Sequence, residues 1–233
     1  MKTSTKLVLA ALIIMFTVSF SFVFYDFIEP RITGNALVST RLVITSTSES
    51  NCNITFEEGW NLISFPCMTQ IYGLEDFFDY SELNTTNRFF SVIKVFNNTD
   101  ANDPWKAYNP DLPNWTVQDT INISKTQGYW FYVVNASVFL RNDTIESPSY
   151  VDLYEGWNLI GYPSAIIKTM NETYGNLIPE FDFVETFNAT DSIDSWKQWT
   201  WNSSLTSNQD LNYSNRFLGY WIFMHSNGTL VVT

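Results

Sequence analysis

The chain has 233 residues, enough for one or two domains, of which 17% are aromatic and only 15% charged. That much apolar surface excludes a disordered chain, because burial can offset the entropy of ordering. A net charge of −12, from 12 basic and 24 acidic residues, disfavours nucleic acid and anionic lipid surfaces as partners.

Residues 1–6 are short and basic, with Lys2 and Lys6, and residues 7–25 follow without a charge. Nineteen uncharged residues approach the roughly 20 that a bilayer-spanning helix needs. Residues 1–25 therefore read as a signal anchor, with a signal peptide cut after Ser21 as the alternative. Either way the two lysines hold the N-terminus in the cytoplasm and send the rest outside. The membrane, through this helix, is the first expected partner. Residues 26–51 read as a stalk, with an apolar, β-branched candidate strand at 36–45.

From there the sequence repeats itself. Residues 56–66 (FEEGWNLISFP) match 153–163 (LYEGWNLIGYP), and 95–100 (VFNNTD) match 186–191 (TFNATD). Trp105-Lys106 matches Trp196-Lys197, and 128–132 (GYWFY) matches 219–223 (GYWIF). The offset is 97 for the first block and 91 for the others, so copy two has lost six residues between its first and second blocks. This divides the chain into repeat 1 at 52–141, a linker at 142–152 and repeat 2 at 153–233.

Local patterns give each repeat its elements. The apolar run from Trp60, stopped by Pro66, reads as a strand. Residues 89–96 and 105–108 read as a hairpin, and 129–140 as two strands around a turn at Asn135. Residues 74–79 and 176–178 suggest a helical turn or two. The expected fold is mainly β, a β-rich α+β chain: an N-terminal helix, then two tandem, mostly antiparallel small β repeats. Gly59 and Gly156 are expected at turns with positive φ, and Asn61 and Asn158 as side chains that hold those turns. Trp60, Pro66, Trp105, Trp130, Trp157, Pro163, Trp196 and Trp221 are expected in the repeat core. Gly128 and Gly219 are expected where backbone passes close to a tryptophan.

Twelve Asn-x-Ser/Thr sequons follow the apolar segment: Asn53, Asn84, Asn97, Asn114, Asn122, Asn135, Asn142, Asn171, Asn188, Asn202, Asn212 and Asn227. With 23 Asn, and Ser plus Thr at about one residue in five, chance gives about 4–5. The excess points to N-linked glycans, and so to solvent-facing positions.

The pattern Gly-Trp-Asn-Leu-Ile-Ser-x-Pro, a central Trp, then Gly-Tyr-Trp before a last strand resembles a repeat of archaeal and some bacterial cell-surface proteins. Residues 31–37 (RITGNAL), soon after the apolar segment, look like the start of surface proteins in archaea of the DPANN group. The resemblance covers about three quarters of the chain. It implies an N-glycosylated archaeal cell surface with the C-terminal part outside, or a secreted protein if the signal is cut.

Cys52 and Cys67 flank the first strand of repeat 1, and an oxidising compartment favours a disulfide between them over two free thiols. Repeat 2 has Ser164 in place of Cys67. Both copies carry Asp pairs before their Trp-Lys, Asp100 with Asp103 and Asp191 with Asp194. A Ca²⁺ site is the sharper reading of these pairs and self-capping turns the plainer one, since two carboxylates fall short of the usual six to eight ligands. No resident metal or other cofactor is expected. For catalysis the sequence offers a single histidine, His225, no Gly-x-Ser-x-Gly elbow and no Gly-rich phosphate loop.

A non-catalytic cell-surface glycoprotein for display, adhesion or cell and host contact fits best, its partner an unidentified protein or cell surface or another copy of itself. A self-assembling filament or S-layer subunit, joined by insertion of strand 36–45, is the alternative. Lower stands a carbohydrate-binding module using Trp115, Trp199 or Trp201.

Overall fold

The computed structural model describes residues 46–78, 88–113, 115–205 and 209–233. The segments expected as membrane helix, stalk and candidate strand 36–45 lie outside the described residues. No helix among the described residues is long and apolar enough to cross a membrane. The described chain is mainly β, in antiparallel sheets.

Repeat 1 runs β1 (Ser46–Phe56), β2 (Gly59–Ser64), β3 (Tyr72–Gly73), α1 (Leu74–Phe77), β4 (Phe90–Phe96), β5 (Trp105–Tyr108), β6 (Asn122–Ile123), β7 (Gly128–Val133) and β8 (Ser137–Ser147). Repeat 2 runs β9 (Ser149–Leu153), β10 (Gly156–Gly161), β11 (Lys168–Thr169), α2 (Met170–Tyr174), a 3-10 turn (Gly175–Leu177), β12 (Phe181–Phe187), β13 (Trp196–Trp199), β14 (Tyr213–Ser214), β15 (Gly219–Met224) and β16 (Gly228–Val232). The topology is the same twice. A four-stranded sheet, β2-β7-β4-β5 or β10-β15-β12-β13, stands beside a two-stranded ribbon, β1-β8 or β9-β16, and a two-residue ladder, β3-β6 or β11-β14. Equivalent residues pair: Trp60 faces Tyr132 and Trp157 faces Phe223.

Residues 142–152, expected as a linker, are strand. The β8 strand continues to Ser147, and Ser149 begins β9. The β1 strand reaches back to Ser46, into the expected stalk, by pairing with β8. Burial alternates from Cys52 to Phe56 and from Ser137 to Asn142, while the Asn- and Ser-rich remainder of the ribbon has little strand propensity and is strand through pairing.

Two Asn-held corners set the faces. Gly59 has φ 98° and Gly156 has φ 91°, a region open to glycine at low cost. Asn61 is buried, accepts from Glu57 N and donates to the carbonyls of Glu57 and Gly59. Asn158 repeats this with Tyr154 and Gly156. Successive strand residues point to opposite faces, so an inward Asn61 forces Trp60 outward. Trp60 and Trp157 are therefore not core anchors; they stand 39% and 38% exposed on the outer face of their sheets. Trp105 and Trp196, at 43% and 47%, share that face and leave the expected core as well.

The inner faces hold two separate cores. In repeat 1, Ile54 and Phe56 of the ribbon close over Phe65, Phe77, Phe90, Tyr129 and Phe131. In repeat 2, Val151, Leu153 and Leu230 close over Tyr162, Tyr174, Phe181, Tyr220 and Ile222. Pro66 and Pro163 are buried where β2 and β10 leave their sheets.

The outer faces meet each other, in a reciprocal way. Ser64 N donates to Phe217 O at 3.0 Å, and its equivalent Gly161 N donates to Thr126 O at 3.0 Å. Ile63 bridges to Leu218 as Ile160 bridges to Gln127. Trp130 packs on Phe187 and Trp196 with ring centres 5.3 and 5.8 Å apart, and Trp221 packs on Phe96 and Trp105 at 5.2 and 5.7 Å. Equivalent residues exchange places, so the repeats face each other like the halves of an isologous dimer.

This fixes Gly128 and Gly219. A Cβ on Gly128 would stand 2.8 Å from Ile160 O, and one on Gly219 would stand 2.9 Å from a Leu62 methyl and 3.1 Å from Ile63 O. The close approach is to the opposing repeat's strand, not to a tryptophan. Gly128→Ala and Gly219→Ala should each cost about 1–3 kcal/mol in denaturant unfolding, whereas Gly175→Ala, at an α-helical position with ordinary spacing, should cost nothing. Similar stabilities for all three variants would contradict the reciprocal contact.

Candidate functional site

Ten of the twelve sequon asparagines lie among the described residues, and Asn84 and Asn114 lie outside them. Asn53, Asn97, Asn122, Asn135, Asn142, Asn171, Asn212 and Asn227 are exposed, and Asn188 and Asn202 half-exposed. They sit on ribbons, short ladders, helix and turns: Asn53 on β1, Asn142 on β8, Asn122 on β6, Asn171 on α2, the rest in connections. None of the ten lies on a strand of either four-stranded sheet. Asn97 and Asn188 occupy equivalent hairpin turns, each holding its sequon Thr through Oδ1, which accepts from Thr99 Oγ1 or Thr190 Oγ1 at 2.8 Å.

The sequon-free outer faces carry the aromatic residues. Trp60 stacks edge-on against Trp130 and Tyr132, with Lys94 Nζ 5.6 Å from its ring centre, and Trp157 does the same against Trp221 and Phe223. With Trp105 and Trp196 they form two aromatic strips that are half wet and half packed into the interface. Of the candidate stacking residues, Trp115 is 83% exposed. Trp199 packs on the repeat 2 core, and Trp201 donates its indole N–H to Phe181 O.

The outer strands β5 and β13 carry side-chain caps. Ala107 N donates to Asp119 Oδ2 at 2.8 Å, and Gln118 pairs with both the N–H and the carbonyl of Asn109. In repeat 2, Gln198 N donates to Asp210 Oδ1 at 2.9 Å. Carboxylates on an outer strand block the addition of another chain there.

The paired aspartates are not open to a cation. Lys106 Nζ lies 2.8 Å from Asp100 and 2.9 Å from Asp103, and Lys197 Nζ lies 2.9 Å from Asp191 and 3.1 Å from Asp194. The lysine ammonium stands where a calcium ion would have to bind. Among the described residues no three His, Cys, Asp or Glu side chains group in a way that could hold a metal. The lysine hydrogen bond holds Asp100 and Asp191 below the ordinary aspartate value. Each contributes stability that is present above that value of 3.8 and lost as the pH falls from there through the lowered one. Asp100→Asn/Asp191→Asn should therefore lose less Tm than the parent between pH 7 and about pH 2.5. An unchanged acid profile would show the pairs to be inert.

Cys52 and Cys67 are disulfide-bonded, with Cα atoms 6.2 Å apart. Both are buried beside Ile145, with Phe217 of repeat 2 packed against them. The ribbon register makes Ser149 the equivalent of Cys52, as Ser164 is of Cys67, and both serines are buried. Sequence similarity between the copies starts only at residue 56, so the first equivalence shows in the strand register alone. The repeat thus has a cross-link position that one copy fills. Ser149→Cys/Ser164→Cys should close a second 15-residue loop, worth up to about 3 kcal/mol. Two titratable thiols in that variant would show that the corners differ.

His225 Nε2 lies 2.9 Å from Asp182 Oδ1. The adjacent Ser226 Oγ donates to Glu180 Oε2 instead, so this serine and histidine serve different carboxylates. Comparison with known protein families, curated proteins and solved structures gave no match.

Proposed function

We propose that this chain is a non-catalytic, N-glycosylated cell-surface scaffold that displays a sugar-coated β body for adhesion or contact with another cell. The placement of the sequons carries the reading. A glycan needs solvent around its asparagine. All ten described sequon asparagines reach the surface, while the buried Asn61 and Asn158 are not sequons. The buried Cys52–Cys67 bond fits an oxidising exterior. The resemblance to archaeal surface repeats of the DPANN type points to the same address, with residues 1–25 as the anchor or signal.

Assembly into a filament or lattice is the second reading. The carboxylate-capped strands β5 and β13 weigh against strand addition at those edges. A carbohydrate-binding role would use the fully displayed Trp115 or the outer strips.

Site-by-site glycopeptide mass spectrometry on the protein from its own cells tests the proposal. Occupancy at most sequons is expected, with Asn97 and Asn188 among them because both turns hold the sequon Thr against the Asn Oδ1 in the same way. Unmodified asparagine at every sequon would overturn it.

A further inference from the structure

A cleft lies between the repeats beside one of the two equivalent hairpin turns. Its repeat 1 wall includes Asn97, Thr126 and Gln127, and its repeat 2 wall includes Tyr150, Asp152 and Tyr154. The cleft holds about 170 Å³, room for one sugar ring but not for a chain of them. Tyr154 is 40% exposed, so part of its ring is open to a ligand. Asn98 fastens the turn across the cleft, donating to the carbonyls of Glu155 and Trp157. Asn97 Oδ1 is held by Thr99, so its Nδ2, the atom that carries an N-linked sugar, has no partner among the described residues.

The pseudo-symmetric position differs. There Ala189 replaces Asn98, Phe217 and Leu218 replace Thr126 and Gln127, and Asn53 and Glu57 replace Tyr150 and Tyr154. The second turn thus keeps the sequon, at Asn188, and loses the tether, the polar floor and both aromatic walls.

We propose that the first sugar of a glycan on Asn97 lodges in this cleft and bridges the two repeats, whereas the glycan on Asn188 stands free in solvent. The acceptor asparagine is itself a wall of the cleft, so the covalent bond delivers the occupant. The sugar's C–H face meets the tyrosine rings and its hydroxyls meet the Asp152 carboxylate, as amphipathic ligands suit an aromatic wall with polar neighbours. The inference rests on the glycoprotein reading above.

The test uses the full chain expressed in a eukaryotic host, where the first sugar is N-acetylglucosamine. A peptide N-glycosidase must reach that sugar's bond to asparagine, so its rate reports burial. Under native conditions release from Asn97 should be about five-fold slower than from Asn188, and the two rates should converge after denaturation. Tyr154→Ala should bring the native Asn97 rate towards that of Asn188, and Tyr154→Phe, which keeps the ring, should preserve the difference. An unfolded Tyr154→Ala leaves the wild-type comparison and the Phe variant to decide. Equal native rates with both sites occupied would overturn the bridging sugar and leave the glycoprotein reading standing. No glycan at any sequon of the protein from its own cells would remove both.

Discussion

The structure depends on the close approach of two strand starts to the opposing repeat. Gly128 and Gly219 open β7 and β15, inner strands of their four-stranded sheets, and touch β10 and β2 of the opposing repeat with no room for a methyl group. From that contact follow the reciprocal hydrogen bonds of Ser64 and Gly161 and the exchange of Trp130 and Trp221 into each other's hairpins. Aromatic pairs of this geometry add about 0.5–1.5 kcal/mol each beyond the area they bury. Each repeat would otherwise leave an outer face of Trp, Phe and Leu in water. Duplication supplies the cover.

Symmetry in the backbone and asymmetry in the side chains divide the labour. The corner asparagines, positive-φ glycines, Lys-Asp turns and carboxylate-capped strands recur in both copies. The disulfide, the Asn98 tether and the polar cleft exist in one copy alone among the described residues. These one-sided features sit at the join between the repeats: Phe217 of repeat 2 covers the disulfide, and Asn98 crosses to the Trp157 corner. Features of the unit are thus written twice and features of the join once.

Much of this was legible in the residues. The corner glycines, the asparagine clamps and the main strands follow from Gly-Trp-Asn-Leu-Ile and from β-branched runs, because these are local signals. The faces were not legible. Tryptophan is usually buried, and the burial of its neighbour Asn61, which reverses the assignment, depends on a hydrogen-bonded corner rather than on hydrophobicity. Of the ribbon strands, β1 and the part of β8 beyond Leu140 were missed for a related reason: their Ser- and Asn-rich segments carry little strand propensity, and their pairing is long-range. The aspartates suggested a cation site because a sequence does not show that the lysine six residues on folds back between them. The ten described sequon asparagines lie at the surface, but their absence from the two four-stranded sheets emerges only in three dimensions.

The proposed function rests on where the sequons are and are not. Among the described residues the sequons lie on ribbons, ladders and turns, and the strips of tryptophan on the four-stranded sheets carry none, the placement from which we propose a protein that meets other surfaces. The central claim is that the repeats face the outside of the cell. Labelling intact, unpermeabilised cells with an antibody against residues 153–233 tests it most directly. The account predicts the same signal before and after permeabilisation; a signal that appears only after permeabilisation would contradict it.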